Sequence, residues 1–149
     1  MIHEGESLIV QVRREGIGSK NPQATTKVSI PGRFWVFLPK DKRLGISRRI
    51  DDQEKITWLK EIARELKEDN EGLIARTASK NASKEDLERD FNFLLGTWKG
   101  IEEESRKTSP PELLHESANL IRRIIRDRLL EDVDEVTVDS NGIYDDVKD

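Results

Sequence analysis

The sequence contains no cysteine and only two histidines in 149 residues. The lack of cysteine excludes a disulfide framework, a thiol nucleophile and a cysteine-ligated zinc site, and it favours a reducing compartment such as the cytoplasm. The histidines, His3 and His115, lie too far apart in the sequence to indicate a histidine metal site. No apolar run is long enough to span a bilayer, and the first residues lack the features of a signal peptide. We therefore expect a cytoplasmic protein without a membrane segment and without a resident cofactor.

Charged residues, in contrast, make up 38% of the chain, against 34% that are hydrophobic, so the core must be modest. The net charge of −4 conceals a strong asymmetry along the sequence. Residues 1–49 contain ten Lys and Arg against four Asp and Glu, whereas the remainder contains sixteen against twenty-six. A basic first third predicts contact with a polyanion, although a solvated basic face without a ligand has the same composition.

The first third also contains three apolar, β-branched runs separated by glycine and proline turns. They predict strands over Ser7–Arg13, Thr25–Ile30 and Arg33–Leu38, arranged in an antiparallel or mixed sheet. The basic segment Lys40–Arg49 is predicted to be a turn-like linker. Near the end of the sequence, Glu135–Asp139 alternates between polar and apolar residues, which is typical of a half-buried strand.

Three segments carry apolar residues at helical spacing. A capping-box pattern over 51–54 predicts a helix that ends near Asn70, and a second pattern over 83–86 begins a helix that stops before the prolines of 109–111. A third helix is predicted over 120–129. The fold class is therefore mixed α/β (α+β) with about three helices. The apolar stripe of the second helix is typical of a core, but it would also suit a structural domain that docks on a partner chain.

Residues 72–78, GLIARTA, combine a buried strand with a polar end. Leu73–Ala75 predict the strand, and Arg76 and Thr77 follow it directly. A guanidinium fork and a hydroxyl held by a rigid strand suit a multi-oxygen anion such as phosphate. Pairing of Arg76 with one of the many acidic side chains is the other interpretation.

Six segments in order resemble the ribonuclease E/G family: LIVQVRRE, GSKNPQATTKVSIPGRFWVFLP, GISRRI, GLIARTA, LERDFNFLLGTW and ANLIRRIIRDRL. The resemblance extends from about Leu8 to Ser140. Members of that family are magnesium-dependent endoribonucleases that cut single-stranded RNA. Their RNase H-like fold carries an inserted OB-fold domain and a 5′-sensor domain, and a DNase I-like catalytic domain follows. The resemblance implies a fragment, with 1–26 as the tail of the OB-fold domain, 27–119 as the 5′ sensor and 120–149 as the start of an RNase H-like segment.

The resemblance also implies roles for particular residues. Arg76 and Thr77 match the pair that holds the 5′-monophosphate of RNA. Gly32 and Val36 match a G-x-x-x-V segment, in which the glycine lets the terminal base approach and the valine offers its backbone amide and an apolar contact. Lys20 matches a lysine with which the OB-fold domain grips an RNA phosphate.

Other positions are less clear or depart from the family. Arg48 and Arg49 match a family SRR motif, where RNA contact and a solvated surface are equally compatible with the sequence. Residues 79–81, Ser-Lys-Asn, replace a glycine-rich segment of the relatives. Asp139 and Asn141 imitate the family's catalytic Asp-x-Asn, but their register lies well before the catalytic segment. We therefore expect no catalytic aspartate, no metal site and no nuclease activity in this chain alone, with Mg²⁺ needed only by the full-length enzyme.

The implied function is recognition of the 5′-monophosphate end of single-stranded RNA, which promotes cleavage by the absent catalytic domain during RNA processing and decay. The expected partners are single-stranded RNA and the remaining domains of the same enzyme, and a homo-oligomer is one option for the full-length protein. The alternative is a non-specific single-stranded RNA-binding module that does not discriminate between 5′ ends. Such a module would show a steep salt dependence and no preference for the 5′ group.

Overall fold

The computed structural model describes residues 3–16, 18, 20–116, 124 and 133–138. The chain divides into two compact units, Met1–Leu114 and His115–Asp149. In the second unit, Ile124 is helical, and the rest of the predicted helix over 120–129 lies outside the described residues. The predicted strand over Glu135–Asp139 is wrong for residues 135–138, which are irregular. Alternating polarity makes a strand only where a neighbouring strand supplies hydrogen bonds. The domain boundaries implied by the resemblance stay predictions.

The first unit contains two separate β-sheets, whose strands are β1 (Gln11–Arg14), β2 (Gln23–Thr25), β3 (Ile30–Pro31), β4 (Trp35–Leu38), β5 (Leu44–Ile46) and β6 (Gly72–Ala75). Strands β1 and β2 form a two-stranded antiparallel sheet. The other four form a sheet in the order β3-β4-β6-β5, in which only β5 and β6 run parallel. Together with two α-helices in the described residues, α1 (Gln53–Leu66) and α2 (Lys84–Lys107), these sheets confirm the mixed α/β class.

Strand β5 lies in the segment that the sequence predicts to be a linker, so that prediction is wrong for Leu44–Ile46. These three residues pair in register with Leu73–Ala75 of β6. The pairing is long-range, because α1 separates the two strands in the chain. A short edge strand of this kind is stabilised by its neighbour rather than by its own residue propensities.

The predicted strand over Thr25–Ile30 is also wrong, because β2 ends at Thr25 and the next strand begins at Ile30. Between them, the Gln11 side chain bonds the main chain of Ser29. Its Nε2 donates to the Ser29 carbonyl at 2.9 Å, and its Oε1 accepts the Ser29 N–H at 2.9 Å. A side-chain amide thus supplies the hydrogen bonds that a neighbouring strand would provide. Similarly, β1 begins only at Gln11, which pairs with Thr25.

Both helices begin at side-chain caps. Asp52, one residue later than the sequence pattern predicts, caps α1 by accepting the N–H groups of Glu54 and Lys55. Asp51 instead pairs with Lys80. Helix α1 ends at Leu66 rather than near Asn70 because the backbone of Lys67 is extended. No helix among the described residues is long and apolar enough to cross a membrane.

The predicted capping box of α2 is confirmed, with Ser83 as its N-cap and Asp86 as its reciprocal partner. Replacing Ser83 by alanine is expected to lower the free energy of unfolding by about 1 kcal/mol, because the Asp86 N–H loses the Ser83 hydroxyl as its acceptor. Urea denaturation would measure the change. A Ser83→Gly variant should lose only a few tenths of a kcal/mol, and an equal loss in both variants would contradict a capping effect.

The helices cover one face of the four-stranded sheet. Side chains that alternate along β4 and β6 enter this core, together with the apolar stripe of α2; the fully or nearly fully buried members include Trp35, Phe37, Leu73, Ala75, Leu87, Phe91 and Leu94. The Trp35 indole N–H donates to the Leu87 carbonyl at 3.1 Å, which fixes β4 on α2. Because side chains alternate along a strand, Val36 and Ile74 lie on the opposite face, where both are half-buried.

Candidate functional site

Arg76 follows directly on β6 and is tied to the main chain of the loop before β4. Its own N–H donates to the Phe34 carbonyl at 2.8 Å. One terminal nitrogen of its guanidinium, Nη1, donates to the carbonyl of Gly32 and lies 3.4 Å from that of Arg33. Strand alternation places the side chain on the face of Ile74, away from the helices. Main-chain carbonyls therefore hold one corner of the guanidinium fork in place.

Thr77 is the next residue, and its hydroxyl meets one from the neighbouring strand. The Thr77 Oγ1 and Ser47 Oγ atoms are 2.9 Å apart. Ser47 follows β5 and donates its N–H to the Ala75 carbonyl at 2.8 Å. The carboxyl ends of the parallel strands β5 and β6 thus bring two hydroxyls together beside Arg76. Ser47 was not predicted to belong to the site, although it is the first residue of the SRR motif.

Arg48 and Arg49 follow Ser47 in an exposed turn. The structure therefore places the whole SRR motif at the sheet end that also carries Arg76 and Thr77. Whether these two arginines contact RNA stays a prediction. Their position adds positive charge to the same sheet end, which favours binding of an anion.

Gly32 is buried beneath a carboxylate from α2. A Cβ atom at this position would lie 2.6 Å from both carboxylate oxygens of Asp90. Asp90 in turn accepts the N–H groups of Arg33, Phe34 and Trp35 at 3.0, 2.9 and 2.9 Å. The missing side chain at Gly32 therefore makes room for Asp90. That it also lets a terminal base approach stays a prediction.

Val36 lies in the middle of β4, and its main chain faces β6. In this antiparallel pair, hydrogen-bonded positions alternate, and the bond from Arg76 N–H to the Phe34 carbonyl identifies one of them. Two residues further along, Val36 is opposite Ile74, so its N–H belongs to the sheet ladder. The ladder therefore occupies the Val36 backbone amide that was expected to contact a ligand, and the half-buried side chain on the face opposite the helices is what Val36 has to offer.

The segment 79–81, which the sequence analysis marked as a departure, belongs to a 3₁₀-helix that spans Thr77–Asn81. Ser79 is fully buried, and its hydroxyl donates to the Phe34 carbonyl at 2.7 Å. Lys80 Nζ lies 3.2 Å from an exposed Asp51 oxygen, and this hydrogen bond lowers the pKa of Asp51 below its usual value. Within this segment, Ser79 therefore supports the loop before β4.

Lys20 lies outside this group of residues. It is exposed in the connection between β1 and β2. Asp139 and Asn141 lie outside the described residues. Among the residues that the structure does describe, no three His, Asp or Glu side chains are grouped so that they could hold a metal ion.

Besides Ser47, Asp90 was not predicted to belong to the site, and Ser79 was named only as part of the departure at residues 79–81. For Asp90 a signal was present: it lies three residues after Leu87 and four before Leu94, on the buried stripe of α2. A carboxylate at such a position needs hydrogen-bond partners because burying it unpaired is costly. Ser79 carries no comparable signal, since a serine after a strand is usually a turn residue.

Taken together, the sheet end presents a held guanidinium, a pair of hydroxyls, two further exposed arginines and half-buried apolar side chains on the face opposite the helices. Guanidinium and hydroxyl groups donate hydrogen bonds to phosphate oxygens, and apolar side chains pack against the organic part of a phosphate ester. The arrangement suits binding of a phosphate monoester.

The sequence model of the ribonuclease E/G family matches residues 29–149. Among similar proteins, ribonuclease E of Haemophilus influenzae is 41% identical over 97% of this chain and 16% of its own length. Ribonuclease G of the same organism is 31% identical over 99% of this chain and 30% of its own length. The chloroplastic ribonuclease E/G-like protein of Arabidopsis thaliana is 35% identical over 98% of this chain and 16% of its own length. The chain thus spans less than a third of the length of these relatives.

Proposed function

The chain belongs to the ribonuclease E/G family. From that premise, we propose that it binds the 5′-monophosphate end of single-stranded RNA at the sheet end that carries Arg76 and Thr77. The observation that carries the proposal is the guanidinium of Arg76, held by the Gly32 carbonyl beside the 2.9 Å hydroxyl pair of Thr77 and Ser47. A planar fork that is already oriented loses little freedom when it binds phosphate oxygens.

A terminal phosphate differs from a 5′-hydroxyl in charge and in acceptors. It carries a charge of roughly −1.5 to −2 at neutral pH and three strong acceptor oxygens. The sheet end supplies matching donors and positive charge, whereas a 5′-hydroxyl offers neither the charge nor the three acceptor oxygens. Discrimination between the two RNA ends then follows from electrostatics. In this proposal Val36 provides an apolar surface for the terminal nucleotide, and Lys20 contacts a different phosphate of the RNA.

For the longer protein, we propose that this recognition promotes endonucleolytic cleavage of RNA by a magnesium-dependent domain outside this chain, in RNA processing and decay. The chemical step, the magnesium ligands and the contacts for a homo-oligomer would then belong to the rest of the protein. The lack of cysteine supports the cytoplasm as the compartment.

A second candidate function, non-specific binding of single-stranded RNA, is favoured by a cleft elsewhere in the first unit. The cleft has a volume of about 520 Å³ and lies among β1, β2 and the end of β4. Arg13, Lys27 and Arg43 line it, together with one carboxylate, Asp41. The N–H of Arg43 donates to Asp41 and lowers the pKa of that carboxyl group. The excess of positive charge suits a phosphate backbone without regard to its 5′ end.

Fluorescence polarisation with one short single-stranded RNA, carrying either a 5′-monophosphate or a 5′-hydroxyl, separates the two candidates. We expect tighter binding of the monophosphate at every salt concentration. Equal affinity for both RNAs, with a steep loss on adding salt, would contradict the 5′-end proposal and support the cleft. In that case Lys27→Ala should reduce the magnitude of the slope of log K against log salt by about 1.

A further inference from the structure

The loop from Gly32 to Trp35 is hydrogen-bonded on both sides by groups of opposite charge. On one side, the Asp90 carboxylate accepts three successive N–H groups from this loop at 2.9–3.0 Å. On the other, Arg76 donates to the Gly32 and Arg33 carbonyls. The peptide groups of the loop therefore lie between an anion and a cation. Each charge polarises the same hydrogen-bonded groups, so the two interactions strengthen each other.

We propose that Asp90 is a positioning residue for the 5′-phosphate site, acting through the loop 32–35 to set the orientation of the Arg76 guanidinium; this inference rests on the proposed function. Asp90 does not face the phosphate itself, because both of its oxygens are bonded to main-chain N–H groups. Its effect passes through the Gly32 carbonyl, which Arg76 contacts directly.

The geometry around Asp90 allows almost no adjustment. Its two oxygens lie 2.6 Å from where a Cβ of Gly32 would be, so the carboxylate fills the space that this glycine leaves open. Asp90 is anchored on α2, whose neighbouring side chains Leu87 and Phe91 are buried. A rigid helix thus fixes the carboxylate, the carboxylate fixes the loop, and the loop carbonyls fix the guanidinium.

The loop has a second anchor, which provides an independent variant. Ser79 is fully buried, and its hydroxyl donates to the Phe34 carbonyl at 2.7 Å. Ser79 touches the same loop from the carbonyl side and adds no charge to the site. Loosening the loop by removing this hydroxyl should therefore disturb Arg76 in the same direction as a change at Asp90.

The test measures the affinity of the full 149-residue chain for the same RNA with a 5′-monophosphate and with a 5′-hydroxyl. Asp90→Asn retains the shape but removes the charge and one acceptor, which leaves a loop N–H facing an amide NH₂ group. We expect the preference for the monophosphate to fall at least about fivefold while affinity for the hydroxyl RNA stays within about twofold. Glu85→Gln, which removes one charge from an exposed position on the same helix, should leave the preference unchanged.

The outcomes separate the two proposals. If the unmodified chain shows no preference, the 5′-end function fails and the role of Asp90 falls with it. If the preference exists and Asp90→Asn retains it, or if both RNAs lose affinity in parallel, only the positioning role is overturned. If thermal unfolding shows that Asp90→Asn does not fold, Ser79→Ala decides: a reduced preference supports positioning through the loop, and an unchanged preference overturns it.

Discussion

Replacing Arg76 with alanine is expected to weaken binding of 5′-monophosphate RNA by about 10- to 100-fold, because charge-assisted hydrogen bonds contribute about 1.5–3 kcal/mol. Binding of the 5′-hydroxyl RNA should change little, since that end offers no phosphate to the guanidinium. Fluorescence polarisation with the two RNAs measures both quantities. The fold should survive, with a loss of about 1 kcal/mol from the bonds to the Gly32 and Arg33 carbonyls.

Two further variants identify which property of Arg76 matters. Arg64→Ala removes an equal charge from an exposed position in the last turn of α1 and should preserve the preference. Arg76→Lys keeps the charge but loses the planar fork, so it should recover only part of the preference. If Arg76→Ala binds each of the two RNAs with the same affinity as the unmodified chain, Arg76 does not belong to the binding site. Full recovery of the preference in Arg76→Lys would mean that only the charge of Arg76 matters.

Replacing Gly72 with alanine is expected to lower the free energy of unfolding by about 3 kcal/mol, the largest stability effect that we predict. Gly72 is buried at the start of β6, against the connection between β4 and β5. A Cβ there would collide with the Asp41 carbonyl oxygen and lie 2.6 Å from that of Arg43. Both are main-chain atoms, and the Arg43 carbonyl also accepts the Leu73 N–H at 3.0 Å. The clash would therefore separate β6 from β5, and urea denaturation would detect the loss.

Gly100 provides the matched control for the same chemical change. It is exposed within α2, and a Cβ there would meet nothing within 4 Å. Because alanine has the higher helix propensity, Gly100→Ala should raise the free energy of unfolding by about 1 kcal/mol. The two variants should thus shift stability in opposite directions. Similar shifts in both would mean that the close approach at Gly72 does not limit the fold.

Local sequence encodes the start and the buried face of a helix. The capping box at Ser83 and the buried stripe of α2 were predicted correctly because both depend on residues within one helix. Strand β5 was missed because its partner β6 lies beyond α1 in the chain, and neither propensity nor polarity within Lys40–Arg49 reveals that pairing. The end of β2 was misplaced for a related reason, since the Gln11 side chain replaces a strand there.

The same division applies to the candidate site. The sequence by itself determined the mixed α/β class and the placement of Arg76 and Thr77 at the end of a buried strand, because residue types and periodicity carry that information. The family followed from the resemblance of six collinear segments. Only the tertiary structure decided that Ser47 meets Thr77, that Gly32 makes room for Asp90, and that the loop carbonyls hold the guanidinium. These contacts join residues 30 to 58 positions apart, and their geometry follows from how the helices and strands pack rather than from any local pattern.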